Sequence, residues 1–176
     1  MNFVVTPLVG AFVLESTPLQ DERGFFARTF CRDEFSKRGL NPDVSQCNTS
    51  FNRYRGTLRG LHLQAAPHAE AKVVRCTQGS IWDLIVDLRA ESGTFRKWFG
   101  IELSAELRNA IYVPEGCAHG FQTLTDDAEV LYMMSESYHP ETAGGVLWND
   151  PALEIHWPVA NPTMSERDRS FPLLTR

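Results

Sequence analysis

The feature that most constrains this chain is a succession of short β-favouring runs, each cut off by turn formers. FVVTPL, AFVLEST, FFARTF, TLRGLHLQ, AKVVRCTQ, SIWDLIVDLR, KWFGIELS, AIYVPE, HGFQTLT, EVLYMMSES and GVLWN follow one another along the sequence. RYRG, QGS, ESGT, PEG, TDDA and HPETAGG stand between them. β-Branched and aromatic residues suit a pleated, half-buried surface, while Gly, Pro, Asn and Asp suit turns. Many short strands at regular spacing predict an all-β sandwich or barrel. Only RDEFSKRG (32–39) predicts a helix, with SERDRS (165–170) a weaker second. With no repeat, linker or low-complexity stretch, the 176 residues predict one domain spanning 1–176.

Charge and cysteine usage narrow the function classes. The net charge of -5 argues against nonspecific binding to nucleic acid. An anionic ligand would need basic residues gathered locally. Cys31, Cys47, Cys76 and Cys117 are widely spaced and form no CxxC pair, so neither a zinc knuckle nor a disulfide framework is indicated. The opening MNFVVTPLVGAFVLE has no basic n-region and reads as a first strand, and no apolar run is long enough to span a membrane. These features predict a soluble cytoplasmic protein.

Two stretches concentrate the chemistry. RGLHLQAAPHAEAKVVR (59–75) carries Arg59, His62, His68, Lys72 and Arg75, and IYVPEGCAHGF (111–121) carries His119. Pro114-x-Gly116-x-x-His119 fits the second motif of the cupin barrels. Gly56, five intervening residues and His62 fit the start of the first, with Gly79 suited to its end. A metal-binding cupin has His-x-His there, followed by a glutamate. Here those positions hold Gln64 and Lys72, and a cation repels a divalent ion. The expectation is a jelly-roll barrel with a few short helices, no metal and no cofactor. His is the natural base near neutral pH, and a lysine ammonium stabilises an oxyanion. Together they suit proton abstraction next to a carbonyl. Tyr132 and Tyr138, six apart, are candidates for an acid on the opposite face. Asp83 and Asp87 are four apart and share one face of their strand. His68 is left over and reads as solvated.

The chain resembles the dTDP-4-dehydrorhamnose 3,5-epimerase family over nearly its full length. The matching motifs are DERGFF (21–26), QCNTS (46–50), GTLRGLHLQ (56–64), KVVR (72–75), VDLR (86–89), VPEGCAHGF (113–121), VLWNDP (146–151) and MSERDRSFP (164–172). The resemblance implies a homodimeric jelly roll that binds a nucleotide-diphosphate 4-keto-6-deoxyhexose. It implies that His62 is the base, that Asp168 pairs with it, that Lys72 holds the enolate oxygen and that Tyr132 is the acid. Asp83 would keep Lys72 charged. Arg23 and Arg59 would take the diphosphate, since guanidinium forks match phosphate oxygens. Gln46 and Asn48 would make polar contacts, Phe26 would stack on the base, and His119 would reach the sugar near its ketone. Arg28 and Tyr138 complete the expected binding set.

Several positions depart from the family pattern. Arg28 stands where a glutamate is usual, Met133 where a lysine follows the tyrosine, Ala143 where a glutamate is common and Cys117 where an aromatic is usual. They leave open which nucleotide and sugar are taken and whether carbon 3, carbon 5 or both are inverted. The rival readings are a single-carbon epimerase on a related dTDP, CDP or GDP sugar and a 3,4-ketoisomerase. A metal-dependent cupin ligated by His62, His68 and His119, and a non-catalytic sugar-binding cupin, complete the set.

Overall fold

The computed structural model describes residues 1–174; the last two positions of the expected domain lie outside the described residues. One antiparallel sheet holds six strands: β1 (Asn2–Val5), β2 (Phe12–Glu15), β10 (Ala110–Val113), β7 (Lys72–Gln78), β12 (Ala128–Met134) and β5 (Gln46–Asn52), in that order. The other holds β13 (Ala143–Gly145), β6 (Leu58–Gln64), β11 (Cys117–Thr123), β8 (Ser80–Asp87) and β9 (Trp98–Ser104). β3 (Leu19–Asp21) and β4 (Gly24–Phe26) form a separate hairpin. Two packed antiparallel sheets with these crossed-over connections make a cupin-type jelly roll.

Period-2 alternation decides what each sheet buries. On β8, Ile81 and Ile85 face the space between the sheets, while Leu84 and Val86 face outward. The inter-sheet core joins them to Val74, Cys76, Ile111, Val130, Leu103 and Phe121. Both outer faces are also covered. Helix α1 (Arg32–Ser36) inserts Phe35 among Phe3, Phe30 and Tyr112 on the six-stranded sheet. The segment after β13 lays Val146, Leu153, Ile155 and Trp157 over Leu61, Leu84 and Val86. Each fully buried Leu, Ile or Phe contributes about 1.5–3 kcal/mol.

The structure corrects the expected elements: β3 and β5 lie outside the runs that read as strands, GVLWN is a strand only up to Gly145, and FFARTF pairs only as far as Phe26. The 32–39 helix is shorter than expected, ending at Ser36, and 165–170 yields the one-turn α2 (Glu166–Arg169).

Asp83 and Asp87 do share a face, and both are fully buried. Asp87 is structural. Its carboxylate accepts bonds from Arg89 Nε and a terminal guanidinium nitrogen, from Ser92 Oγ and from Thr94 Oγ1, at 2.6–2.9 Å. Burial alone would raise this carboxyl, but those donors and the Arg89 amide outweigh it and hold it well below the usual carboxylate range. A depressed folded-state value contributes stability that is complete above the unfolded Asp value of about 3.9 and is lost as pH falls through the folded value. Asp87→Ala is therefore expected to cost about 3 kcal/mol at pH 7, with the gap from wild type narrowing steadily as the pH drops below about 4. Urea unfolding of both proteins across that range checks it; a gap independent of pH would refute the assignment.

Candidate active site

A cavity of about 390 Å³ opens between the two sheets, within the range usual for small-molecule sites. The alternation that builds the core also fills this cavity with polar groups. Lys72 precedes the core residues Val74 and Cys76 on β7, and Tyr132 follows Val130 on β12. Gln46 and Asn48 come from β5, His119 from β11, and His62 and Gln64 from β6.

Arg59 enters by an irregularity. Strict alternation would send Arg59 and His62 to opposite faces. In the β6–β11 pairing, however, His119 faces His62 while Phe121 faces Arg59, so β6 carries one extra residue. This bulge, at Gly60, turns both side chains into the cavity. Arg59 Nε then donates to Asn52 Oδ1 at 2.7 Å. Gly60 has φ +131°, and a Cβ there would lie 2.6 Å from Gly120 Cα. Gly60→Ala is expected to destabilise by about 3 kcal/mol through overpacking and backbone strain. An unchanged urea midpoint would show that the two strands have slack.

On one wall, His62 Nε2 lies 2.8 Å from Asp168 Oδ1. The His62 side chain is 40% exposed and that of Asp168 only 7%. Asp168 is delivered by α2, whose Ser165 cap accepts from the Asp168 amide at 3.1 Å, and Gly60 N donates to its second oxygen at 3.2 Å. Burial pushes the Asp168 carboxyl up, but the His62 bond and charge, with Gly60 and Ser165, bring it below its ordinary value. Asp168 is thus a carboxylate, which assigns the neutral ring's proton to Nε2 and leaves the Nδ1 lone pair open. Phe171 packs edge-on against the ring at 5.6 Å.

The opposite wall carries Tyr132 and Lys72 on the adjacent strands β12 and β7. Burial, reinforced by the Asp83 charge and opposed by Arg59, pushes the Tyr132 phenol above its ordinary value, so it stays protonated. Its ring meets His119 edge-on at 6.0 Å. Lys72 Nζ pairs with Glu70 Oε1 at 3.0 Å, both side chains being nearly buried. The expectation that Asp83 holds Lys72 is corrected here. Asp83 Oδ2 instead pairs with His119 Nε2 at 2.8 Å, making a second His–Asp couple in the barrel. Glu70 sits in the loop before β7, where strand spacing carries no signal.

The expected site residues thus divide into two groups. Gln46, Asn48, Arg59, His62, Lys72, His119, Tyr132 and Tyr138 line the cavity, and Asp168 stands behind His62. Tyr138 does so from the loop after β12, not from the strand, with its amide donating to Gln46 Oε1 at 3.2 Å. Arg23, Phe26 and Arg28 are not brought to this cavity. Arg23 pairs with Asp21, Arg28 with Glu34, and Phe26 stands 75% exposed on the β3–β4 hairpin. Glu70, Gln64 and Arg167 line the cavity without having been expected there, and so does Ala143, one of the departures from the family pattern. The imidazoles of His62, His68 and His119 do not form a shared ligand set among the described residues: His68 groups with His139 and Glu141, away from the other two.

Comparison with known proteins points in one direction. Residues 5–176 match the family model described as dTDP-4-dehydrorhamnose 3,5-epimerase. The enzyme of that name from Shigella flexneri is 41% identical over 169 residues, covering 96% of this chain and 93% of that protein. The crystal structure of the Elizabethkingia anophelis NUHP1 enzyme of that name is 42% identical, with TM-score 0.96 over 98% of this chain and 96% of that one. That of the Bacillus anthracis enzyme, with TDP and PPi bound, is 41% identical, with TM-score 0.94 over 98% and 99%.

Proposed function

Because the chain belongs to the dTDP-4-dehydrorhamnose 3,5-epimerase family, we propose that it converts dTDP-4-dehydro-6-deoxy-D-glucose to dTDP-4-dehydro-L-rhamnose. It is an isomerase of the carbohydrate-epimerase class. The observation that carries the reading is one cavity with an oriented base on one sheet and a protonated phenol on the other. Inversion at carbon requires proton removal from one face and return to the opposite face, and the two sheets supply those faces.

In this scheme His62 Nδ1 takes the proton alpha to the C4 ketone, and Asp168 steadies the imidazolium that forms. Lys72 holds the enolate oxygen, fixed in place by Glu70. Tyr132 returns a proton from the far wall. Repetition at the second alpha carbon inverts both centres. Each positioned acid or base is worth about 10²- to 10⁴-fold. Arg59, joined by Arg167, takes the diphosphate; Gln46, Asn48 and Tyr138 take polar contacts at the nucleotide and sugar; His119, braced by Asp83, sits near the ketone.

Arg23 and Phe26 fit this reading through a homodimer, while Arg28 is held by Glu34. The β3–β4 hairpin exposes Leu19, Phe25 and Phe26, an apolar tip that an identical subunit would cover. It would then bring Arg23 and Phe26 to the partner's nucleotide. The residues 1–176 act as one cupin-like epimerase domain in the cytoplasm; among the described residues no helix is long and apolar enough to cross a membrane. Side chains alone carry the chemistry.

The test is proton NMR in deuterated water with chelator-treated protein and dTDP-4-keto-6-deoxyglucose. Deuterium at carbons 3 and 5 together with new stereoisomers is the expected result. Incorporation at one carbon makes it a single-site epimerase. No exchange with dTDP, CDP, GDP or UDP sugars would refute the reading.

A further inference from the structure

His68 takes no part in the proposed chemistry, yet it is not simply solvated. Its ring stacks on that of His139 with centroids 3.5 Å apart and planes 4° from parallel. His139 Nδ1 lies 3.0 Å from Glu141 Oε1. One ligand atom from each of the three residues falls within 4.8 Å of the others. We propose that His68, His139 and Glu141 form a binding site for a borderline-soft divalent cation of the Zn²⁺ class, clamping together two loops at the rim of the cavity.

The backbone around the three residues is already fixed. His68 lies between β6 and β7, and His139 and Glu141 between β12 and β13. Gln64, 3% exposed, ties the loops together. Its Nε2 donates to the carbonyls of His68 (2.6 Å) and Ser137 (2.9 Å), and its Oε1 accepts from the His139 amide at 2.8 Å. Ala65 N adds a bond to Thr142 O at 2.9 Å. The two imidazoles therefore meet because their main chains are pinned, unlike two surface histidines that happen to approach.

The donor set selects the ion. Two imidazole nitrogens and one carboxylate oxygen suit Zn²⁺, Co²⁺, Ni²⁺ or Cu²⁺, whereas Mg²⁺ and Ca²⁺ prefer oxygen alone. Zn–N bonds of about 2.0–2.1 Å in a tetrahedral site put ligand atoms about 3.3 Å apart. The His139–Glu141 pair is near that separation; the stacked rings hold their in-plane lone pairs side by side, and a turn of His68 about its Cβ–Cγ bond directs its nitrogen to the ion. Three protein ligands leave a fourth position for water. Among the described residues no other three His, Cys, Asp or Glu side chains bring ligand atoms this close, and in the catalytic cavity the Lys72 ammonium repels a cation.

The experiment is calorimetric titration of the chelator-treated full chain with Zn²⁺, alongside visible absorption on Co²⁺ addition and the shift of Tm with each ion. One equivalent of Zn²⁺ per chain, a rise in Tm, silence with Mg²⁺ and affinities ordered Co²⁺ < Ni²⁺ < Cu²⁺ > Zn²⁺ are expected. His68→Ala and His139→Ala should each weaken binding about tenfold or more, and His68→Gln should match His68→Ala while keeping a polar side chain. Cys47→Ser and His62→Ala should leave binding intact. Metal-free epimerisation by His68→Ala, at the wild-type rate, verifies that this variant is folded. No heat and no Tm shift at millimolar Zn²⁺ would overturn the proposal. So would binding that survives His68→Ala or that is lost in His62→Ala.

Discussion

Replacing His62 with alanine is expected to lower exchange of the protons flanking the sugar ketone by about 10²- to 10⁴-fold, to the edge of detection. Asp168 is behind the ring and mostly buried, Lys72 stands on the opposite wall held by Glu70, and His119, the other imidazole in the cavity, is buried against Asp83 and Tyr132. The variant should fold, because a side chain that is 40% exposed leaves little void on truncation. Its main structural cost is the loss of a partner for the Asp168 carboxylate, which keeps its bond from Gly60 N. Proton NMR in deuterated water reads exchange directly, without waiting for product. Wild-type exchange in a folded His62→Ala protein would remove His62 from the mechanism and move the search to His119, whose ring meets Tyr132 from β11.

Much of this architecture is legible in the chain because most strands bury one or both faces in apolar contact. β8 reads as SIWDLIVD with Ile81, Leu84, Ile85 and Val86 all buried, and such a run has few alternatives to a strand. β5 is the opposite case. QCNTSFN has one aromatic and no β-branched aliphatic residue, so propensity gives it little weight. It becomes a strand by pairing with β12 from Ala128↔Asn52 to Met134↔Gln46, and the inward Gln46 and Asn48 that hide it from pattern reading are cavity residues. Tertiary pairing overrides local preference where polar residues line the cavity.

The site was legible in its composition more than in its pairings. His62, Lys72, Tyr132 and Asp168 carry chemistry that a motif can flag, but the partner of each depends on loops and bulges. Period-2 reasoning separates Arg59 from His62, and only the extra residue at Gly60 reunites them. Asp83 and Lys72 both come from strands with inward-facing polar positions, so strand spacing alone allows their pairing. A loop residue, Glu70, reaches Lys72 first, and Asp83 is left to His119. Arg23 and Phe26 illustrate a different limit, since one chain shows them only as an exposed hairpin.

Changing Tyr132 to phenylalanine is expected to separate two events that the wild-type enzyme couples. Phenylalanine keeps the ring that packs edge-on against His119 and removes only the hydroxyl. Burial and the Asp83 charge hold that hydroxyl in its protonated form, against the weaker pull of Arg59, so it has a proton to give in the proposed scheme. Without it the enolate, held by Lys72, is reprotonated mainly by the imidazolium on the face from which the proton left. In deuterated water that imidazolium exchanges with solvent, so deuterium enters the sugar with its configuration retained. Formation of the inverted product should fall about 10²- to 10⁴-fold, while exchange falls far less. The ratio of exchange to inversion, read from one NMR time course, is the decisive quantity, and it is insensitive to a uniform loss of active protein. Equal falls in both would mean that abstraction itself depends on Tyr132, and the assignment of two walls to two proton transfers would have to be abandoned.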